Sequence, residues 1–370
     1  MMSPKEIPYN GSLTWLKERT ILWLVHGSRA YGTSRPDSDW DFKGICIPPS
    51  KYRNGFLHQF EQAAWSDPVD ATIFDLRRFF SLAADCNPNI VELLYVDPSD
   101  ILFCNGFGTD LLLLRDAFLS KKALYTFRGY AMAQLKRIRG HRRWLLTPPQ
   151  KKPDRSDFKL PERTVIPADQ LRAAQVAIES RMDSWEVDFG ALDEAGKIHI
   201  QEQVAAFLLD LGIGVDEKFR RAGEALGYDS NFLELLDRER HYKTALTEWN
   251  QYQAWKADRN EARAALEAKY GYDTKHGMHL VRLMRMCREI LAEGTVRTRR
   301  PDAAELLSIR DGAWSYDKIL AWAEEQDTEL VSLAEKSSLP KSPDRVALDE
   351  ACQQMILDWE SSPLYWRHDG

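Results

Sequence analysis

Three short stretches near the N-terminus have the hydrophobic pattern of β-strands. Residues 20–27 read TILWLVHG, an apolar run that ends at a glycine, which is typical of a buried strand. Residues 39–49 read DWDFKGICIPP, which alternates between polar and apolar positions and closes with two prolines. Residues 69–76 read VDATIFDL, which also alternates. We predict three strands here, and a helix over residues 76–86.

Helical periodicity dominates the rest of the chain. From about residue 110 onward, apolar residues recur every three or four positions. The predicted helices cover residues 110–146, 168–187, 196–225, 230–269 and 274–293. The exception is residues 146–167, where prolines and mixed charges predict a long basic loop or extended arm. The pattern therefore predicts an α+β fold, with a small mixed-sheet domain over residues 1–110 and a mainly helical domain over residues 111–370.

Composition excludes several classes of protein. The chain has 370 residues, of which 44% are hydrophobic and 29% charged, as in a globular protein. Its five cysteines include no C-x-x-C pair, which argues against a disulfide framework or a zinc ribbon. The N-terminus lacks the apolar core of a signal peptide, and no apolar run has the length of a membrane span. We expect a cytoplasmic protein with no membrane partner.

Candidate chemistry is concentrated in residues 26–47, which read HGSRAYGTSRPDSDWDFKGICI. On a strand, residues i and i+2 project from the same face about 6.6 Å apart, so Asp39 and Asp41 are expected side by side. Two carboxylates this close repel each other unless a cation lies between them. Mg²⁺ suits such a site, because it takes a few carboxylate oxygens and completes its shell with water and substrate phosphates.

The residues just before the aspartates have the chemistry of a phosphate site. Gly27 has no side chain, so the backbone can approach a ligand closely. The amides that follow and the Ser28 hydroxyl can donate to phosphate oxygens, and Arg29 adds a cation. A lone G-S or D-x-D is usually a solvated turn. Their order and short spacing, each at a strand edge, favour nucleotide binding by Gly27, Ser28 and Arg29.

This stretch resembles the G-S…D-x-D signature of the DNA polymerase beta-like nucleotidyltransferase superfamily. The AYG after Gly-Ser and the glycine after D-x-D resemble its RlaP-like branch, which is linked to RNA ligases and RNA repair. Residues 87–94 (NPNIVELL) and 270–284 (YGYDTKHGMHLVRLM) fit the same branch. The resemblance implies two Mg²⁺ ions, for which Mn²⁺ can substitute, and an NTP such as ATP as substrate.

The same resemblance implies a third catalytic and metal-binding carboxylate on a strand after the D-x-D. Alternation along residues 69–76 puts Asp70 on one strand face and Asp75 on the other. We predict that Asp70 joins Asp39 and Asp41, with Asp75 as the alternative.

The helix predicted over residues 274–293 has a polar stripe. Asp273 or Thr274 suits its N-cap, and Lys275, His279 and Arg282 recur at i, i+4 and i+7. Such a stripe can hold a triphosphate opposite the metal ions. The alternative is a solvated cationic face. We predict nucleotide binding by these three side chains.

Glu92, within NPNIVELL, lies among apolar residues. A buried glutamate needs a partner, so we expect it to contact an arginine rather than substrate.

One segment of the chain is strongly basic, although the chain as a whole is acidic. Residues 121–155 contain eleven Lys and Arg against one acid, whereas the whole chain has a net charge of −6. Aromatic residues are interleaved, and basic side chains with stacking rings are typical of single-stranded nucleic-acid binding. The alternative is a basic helix paired with the acidic remainder. The predicted RNA contacts, called the helix arginines below, are Arg139, Arg142 and Arg143.

Together these features predict an enzyme, a Mg²⁺-dependent nucleotidyltransferase. It would move a nucleoside monophosphate from an NTP to an acceptor hydroxyl and release pyrophosphate. The resemblance and the basic segment favour an RNA or tRNA end as acceptor, in RNA repair or modification. Two alternatives stay open: transfer to a protein or small molecule, and a non-catalytic NTP-binding regulatory module. The intact D-x-D argues against the second.

Overall fold

The chain divides into two compact units. The computed structural model describes residues 3, 6–164, 166–184, 215–257 and 261–362. The first unit combines Met1–Arg142 with Ala265–Gly370, and the second is Arg143–Ala264. Two distant parts of the chain therefore build the first unit.

A five-stranded mixed sheet forms the basis of the first unit. Its strands are β1 (Thr20–His26), β2 (Asp41–Cys46), β3 (Gln62–Trp65), β4 (Asp70–Asp75) and β5 (Ile101–Cys104). Their spatial order is β3-β4-β2-β1-β5. Strands β2 and β4 are parallel, whereas the other neighbouring pairs are antiparallel. The three predicted strands are confirmed as the centre of the sheet, and the pattern missed the two short edge strands.

Helices make up most of the remaining described chain. They are α1 (Gly27–Ala30), α2 (Lys51–Asn54), α3 (Leu76–Ala84), α4 (Pro88–Val91), α5 (Gly106–Leu113), α6 (Ala123–Leu146), α7 (Ala168–Ser184), α8 (Val215–Ala225), α9 (Ser230–Ala257), α10 (Glu261–Tyr270), α11 (Thr274–Glu293), α12 (Ala303–Arg310), α13 (Tyr316–Lys336) and α14 (Arg345–Ser361). The predicted fold class, a small mixed sheet followed by a mainly helical region, is confirmed.

The helix predictions differ from the structure mainly at breaks. The single helix predicted over 110–146 is wrong, because a 3₁₀ turn at Arg115–Phe118 separates α5 from α6. Residues 196–214 of another prediction lie outside the described residues. The Pro-rich stretch is irregular where it is described, apart from a 3₁₀ turn at Arg155–Phe158.

Both faces of the sheet are covered by apolar side chains. Leu24, Ile45 and Phe74 lie on one face, in a core shared with α3, α5 and α14. Trp23 and Ile73 lie on the other face, in a separate core. Burying one such side chain stabilises the fold by about 1.5–3 kcal/mol. Helix α14, near the C-terminus, therefore shares the core of the sheet. The domain boundary at residue 110 stays a prediction.

Each unit also has a helical core. In the first unit, α6, α11 and α13 pack around residues that include Phe127, Met284 and Leu330. In the second unit, α7, α8 and α9 pack around a smaller cluster that includes Ile178 and Phe219. None of the described helices has both the length and the apolarity needed to cross a membrane. All five cysteines are free thiols.

Candidate active site

Three polar side chains stand in a row across the central strands of the sheet. His26 at the end of β1 is the antiparallel partner of Asp41 at the start of β2. Asp41 is in turn the parallel partner of Asp70 at the start of β4. Paired residues on neighbouring strands project from the same face, so the register itself brings the two carboxylates together. A cavity of about 390 Å³ opens here, and its lining includes Asp41 and Asp70.

The Asp41 carboxyl has a raised pKa, and burial is the main cause. Burial raises the pKa of the Asp41 carboxyl, and the charges of Asp70 and Asp39 raise it further. His26 and Lys43 act in the opposite direction and lower it. A half-buried carboxylate among other carboxylates is stabilised by a bound cation, which is the donor chemistry that Mg²⁺ prefers.

Asp39 lies just outside the strand. It is exposed and precedes β2, which begins at Asp41. The structure therefore brings Asp41 and Asp70 together by strand pairing, and it carries Asp39 on the adjoining loop. Among the described residues, the three aspartates do not offer three ligand atoms within 4.8 Å of one another. Carboxylates bound to different ions of a two-metal pair, whose ions lie about 3.5–4 Å apart, need not lie that close together.

Gly27 makes room for Asp41. Its φ is +70°, in the left-handed region, and a Cβ atom there would lie 2.1 Å from Asp41 Oδ2. Only glycine combines this backbone conformation with so close a neighbour. The close approach predicted at Gly27 is thus to the Asp41 carboxylate. Ser28, the next residue, is partly exposed at the start of α1.

Arg29 is engaged with the loop that carries Asp39. Its guanidinium donates to the carbonyl oxygens of Ser38 (2.6 Å) and Asp39 (3.3 Å). It also lies 4.0 Å from the centre of the Trp40 ring. Trp40 stacks in turn on Phe42, on the side of the strand away from Asp41. Arg29 therefore holds the segment before β2, a role that does not require a nucleotide.

Lys43 is a site residue that the sequence reasoning missed. It lies two residues after Asp41 on the same strand face, lines the cavity, and donates to Thr72 Oγ1 at 3.0 Å. Burial lowers the pKa of the Lys43 ammonium, while Asp41 and Asp70 raise it. The signal was present, because the alternation that pairs Asp39 with Asp41 also includes Lys43.

A buried ionic network lies behind the row. Glu92 is fully buried and pairs with Arg282, whose guanidinium donates to Glu92 Oε2 at 3.0 Å. His26 Nε2 lies 2.7 Å from Glu92 Oε1, and the Tyr31 hydroxyl donates to the same oxygen. The Arg282 guanidinium lies 3.8 Å from the centre of the Tyr31 ring. The predicted arginine contact of Glu92 is confirmed.

The network keeps Glu92 ionised. Burial by itself would raise the pKa of Glu92, but the charge of Arg282 and the hydrogen bond from His26 lower it to about 2. An ionised carboxylate only accepts hydrogen bonds, so His26 Nε2 must carry the proton that it shares with Glu92. His26 is thus fixed in one orientation beside Asp41.

The α11 stripe does not act as one cationic surface. Lys275 is exposed, whereas Arg282 is buried in its pair with Glu92. Burial, followed by the charges of Arg282 and Lys275, lowers the pKa of His279 to about 3. His279 is therefore neutral at neutral pH. The structure gives Arg282 a structural partner in place of a phosphate.

Asp75 is used elsewhere in the fold. It is buried and caps α3, where its carboxylate accepts from the Arg77 backbone at 3.0 Å and from the Arg77 guanidinium. Burial raises its pKa, and Arg77 lowers it. Of the two candidates for the third carboxylate, Asp70 is the one beside Asp41.

The first part of the chain matches a known family. Residues 12–146 match the family model described as "RlaP: RNA repair pathway DNA polymerase beta family". The predicted resemblance is confirmed. This RlaP-like segment contains β1, β2 and β4, and with them all three predicted catalytic aspartates. The family suggests nucleotidyl transfer in RNA repair.

One curated relative adds a second match. Over 89 residues, which are 22% of this chain and 26% of the relative, the identity is 32%. The relative is described as an uncharacterized 38.9 kDa protein in the nrdC-mobD intergenic region of Enterobacteria phage T4. The chain thus spans about a quarter of the length of that relative. No solved structure matches the chain.

The helix arginines, at the end of the RlaP-like segment and on α6, each have a partner within the protein. Arg139 lies 3.6 Å from Glu324, and Arg143 contacts Glu248. Arg142 donates to the Gly271 carbonyl at 2.8 Å and stacks on a tyrosine ring. Exposed ion pairs are worth only about 0–1 kcal/mol, so the Arg139 and Arg143 pairs can open for another anion.

Proposed function

We propose that this protein is a Mg²⁺-dependent nucleotidyltransferase that acts on RNA or tRNA ends. The observation that carries the proposal is the strand register that sets Asp41 beside Asp70 at the mouth of a cavity of about 390 Å³. This arrangement lies within the segment that matches the RNA-repair polymerase beta family. The case for an RNA acceptor rests on that family. The helix arginines add little to it, because each has a partner within the protein.

In the proposed reaction, the acceptor hydroxyl oxygen forms a bond to the α-phosphorus of the NTP. The bond from that phosphorus to the oxygen shared with the β-phosphate breaks, and pyrophosphate leaves with that oxygen. The hydroxyl proton passes to the Asp70 carboxylate. Asp39 and Asp41, with Asp70, are the residues that would hold Mg²⁺, which when bound neutralises phosphate charge and favours the ionised acceptor.

The remaining residues have supporting roles in this proposal. Ser28 and the backbone after Gly27 donate to the phosphates. Lys43, on the cavity wall, supplies a cation within reach of the same phosphates. Arg29 maintains the loop that presents Asp39. Lys275 is the residue of the α11 stripe that is exposed and able to meet a triphosphate.

The test is transfer of label from NTPs carrying ³²P at the α- or the γ-phosphate, each incubated with total RNA and Mg²⁺. Nucleotidyl transfer predicts label in RNA from the α-labelled NTP alone, and labelled pyrophosphate from the γ-labelled NTP. Chelation of Mg²⁺ should abolish transfer, and added Mg²⁺ or Mn²⁺ should restore it. Label in the protein or small-molecule fraction would instead support the alternative acceptors, and tight NTP binding without turnover would support a regulatory module.

A matched pair of variants controls for folding. Asp41→Asn removes one charge at the centre of the row without adding bulk, and should abolish transfer. Asp37→Asn makes the same change on an exposed residue of the preceding loop, and should leave transfer near that of the wild type. Equal turnover by the two variants would refute the assignment of Asp41.

A further inference from the structure

We propose that His141, Asp273 and His276 bind a zinc-type divalent metal ion, at a site separate from the aspartate row, the name used below for Asp39, Asp41 and Asp70. The three residues each offer one ligand atom, and these atoms all lie within 4.8 Å of one another. His141 is near the end of α6, while Asp273 and His276 are at the start of α11. No step of the proposed transfer reaction uses any of these residues.

The distances match metal ligation better than hydrogen bonding. Asp273 Oδ2 lies 3.5 Å from His276 Nε2 and 3.9 Å from His141 Nδ1. Hydrogen bonds between nitrogen and oxygen are about 2.7–3.2 Å long, so both separations are too large. Two ligands at zinc-ligand distances of about 2.0–2.1 Å in a tetrahedral site are roughly 3.3 Å apart. A small inward movement of the two rings would therefore complete the site.

The capping of α11 leaves one oxygen of Asp273 to face the rings of His141 and His276. Asp273 caps α11 through Oδ1, which accepts from the His276 backbone N–H at 3.1 Å. Its other oxygen, Oδ2, is the atom that both imidazoles face. The Asp273 side chain is 1% exposed, and positive charge beside a buried carboxylate stabilises its ionised form. A divalent ion held by both imidazoles would add positive charge at Oδ2.

The chemistry of the three ligand atoms indicates which kind of metal ion would bind. Two imidazole nitrogens and one carboxylate oxygen suit Zn²⁺ and similar transition metals, whereas Mg²⁺ prefers oxygen ligands alone. The rings of His141 and His276 lie 5.5 Å apart between centroids. Three protein ligands leave a fourth tetrahedral position for water. The bound ion would tie the end of α6 to the first turn of α11.

The cation next to His141 in the sequence has other contacts. Arg142 follows His141 directly, but its guanidinium donates to the Gly271 carbonyl and lies 4.2 Å from the centre of the Tyr316 ring. It therefore has an arrangement that does not require the Asp273 carboxylate.

The experiment measures metal binding by the full chain, after removal of metals with a chelator and dialysis into buffer with excess Mg²⁺. The excess Mg²⁺ occupies the oxygen ligands of the aspartate row. Zn²⁺ is then titrated, and metal content is measured after gel filtration. Co²⁺ is used in parallel, because tetrahedral coordination by nitrogen gives it visible absorption bands. We expect about one tightly held Zn²⁺ per chain, and a rise in Tm on adding Zn²⁺.

Asp273→Asn is the most informative variant, because asparagine also caps helices and the fold is retained. It should weaken zinc binding at least about tenfold, the lower range for disturbing a metal site, and remove the Tm rise. His141→Ala should do the same. The exposed His58→Ala is the control for loss of an imidazole, and Asp41→Asn the control for the aspartate row.

Both controls should bind Zn²⁺ like the wild type. Equal zinc affinity in the wild type and Asp273→Asn would overturn the proposal, as would a wild type that retains no zinc. Loss of binding in Asp41→Asn would assign the ion to the aspartate row instead. The readouts do not depend on transfer activity, so the proposed function and this site can fail separately.

Discussion

The ion pair between Glu92 and Arg282 should show strong energetic coupling. Glu92 is 0% exposed and Arg282 is 5% exposed, so each buries a charge that the opposite charge of the other residue compensates. Removing one member of a buried pair typically costs about 3–5 kcal/mol, because the remaining charge is left without its partner. We therefore expect Glu92→Gln and Arg282→Met each to lower the free energy of unfolding by about that amount.

The pKa of Glu92 gives a second way to gauge how much the ionised carboxylate stabilises the fold. It is about 2 in the folded protein, against an ordinary value of 4.5. A difference of that size corresponds to about 3 kcal/mol of stability at neutral pH, which agrees with the cost expected from the pair. Because the folded pKa is lowered, this stability is fully present above the unfolded value. It is lost as the pH falls from about 5 toward 2.

The assay is urea unfolding at pH 7, followed by tryptophan fluorescence and circular dichroism on the wild type, both single variants and the double variant. The double variant removes both charges, so we expect it to cost at least about 2 kcal/mol less than the sum of the singles. Additivity within about 0.5 kcal/mol would refute the pairing. The stability difference between the wild type and Glu92→Gln should shrink below pH 5, and a constant difference would contradict the pKa argument.

Three further predictions follow from the site. Gly27→Ala should lower the free energy of unfolding by about 1–2 kcal/mol, because of the left-handed φ, and thermal unfolding measures this loss. The same change should displace the Asp41 carboxylate and reduce the rate of transfer about 100-fold, which enzyme kinetics measures. Asp70→Asn should abolish transfer at saturating Mg²⁺, whereas Asp75→Asn should lower Tm and keep most activity per folded molecule; the reverse order would reassign the third carboxylate. Replacing the helix arginines with alanine should flatten the salt dependence of RNA binding by up to about two units, and unchanged binding with lower Tm would make them an internal ion-pair surface.

The local part of the site was predictable because strand alternation is a property of neighbouring residues. Period two along residues 69–76 separates Asp70 from Asp75 in any sheet, and the apolar run before Gly27 identifies β1. The same rule would have found Lys43, two residues after Asp41. The edge strands β3 and β5 have four residues each, which is too short for alternation to be distinguished from chance.

The partners of these residues required the tertiary structure. Burial of Glu92 implies an arginine, but nothing in the sequence says which arginine, and the one that pairs with it is 190 residues away. Arg282 resembles a phosphate ligand in the sequence because its helical spacing from Lys275 and His279 suggests a shared surface. The structure does not place these three side chains on one exposed surface, because α11 passes from an exposed Lys275 to a buried Arg282 within two turns.

This difference changes what the α11 motif does for the candidate active site. Arg282 keeps Glu92 ionised, ionised Glu92 accepts the proton of His26 Nε2, and His26 is the strand partner of Asp41. Burial raises the pKa of Asp41, His26 lowers it, and the neighbouring aspartates raise it further. A residue late in the chain is therefore linked to Asp41 through Glu92 and His26. Loss of Arg282 would leave the buried Glu92 carboxylate without its arginine partner and lower the stability of the fold.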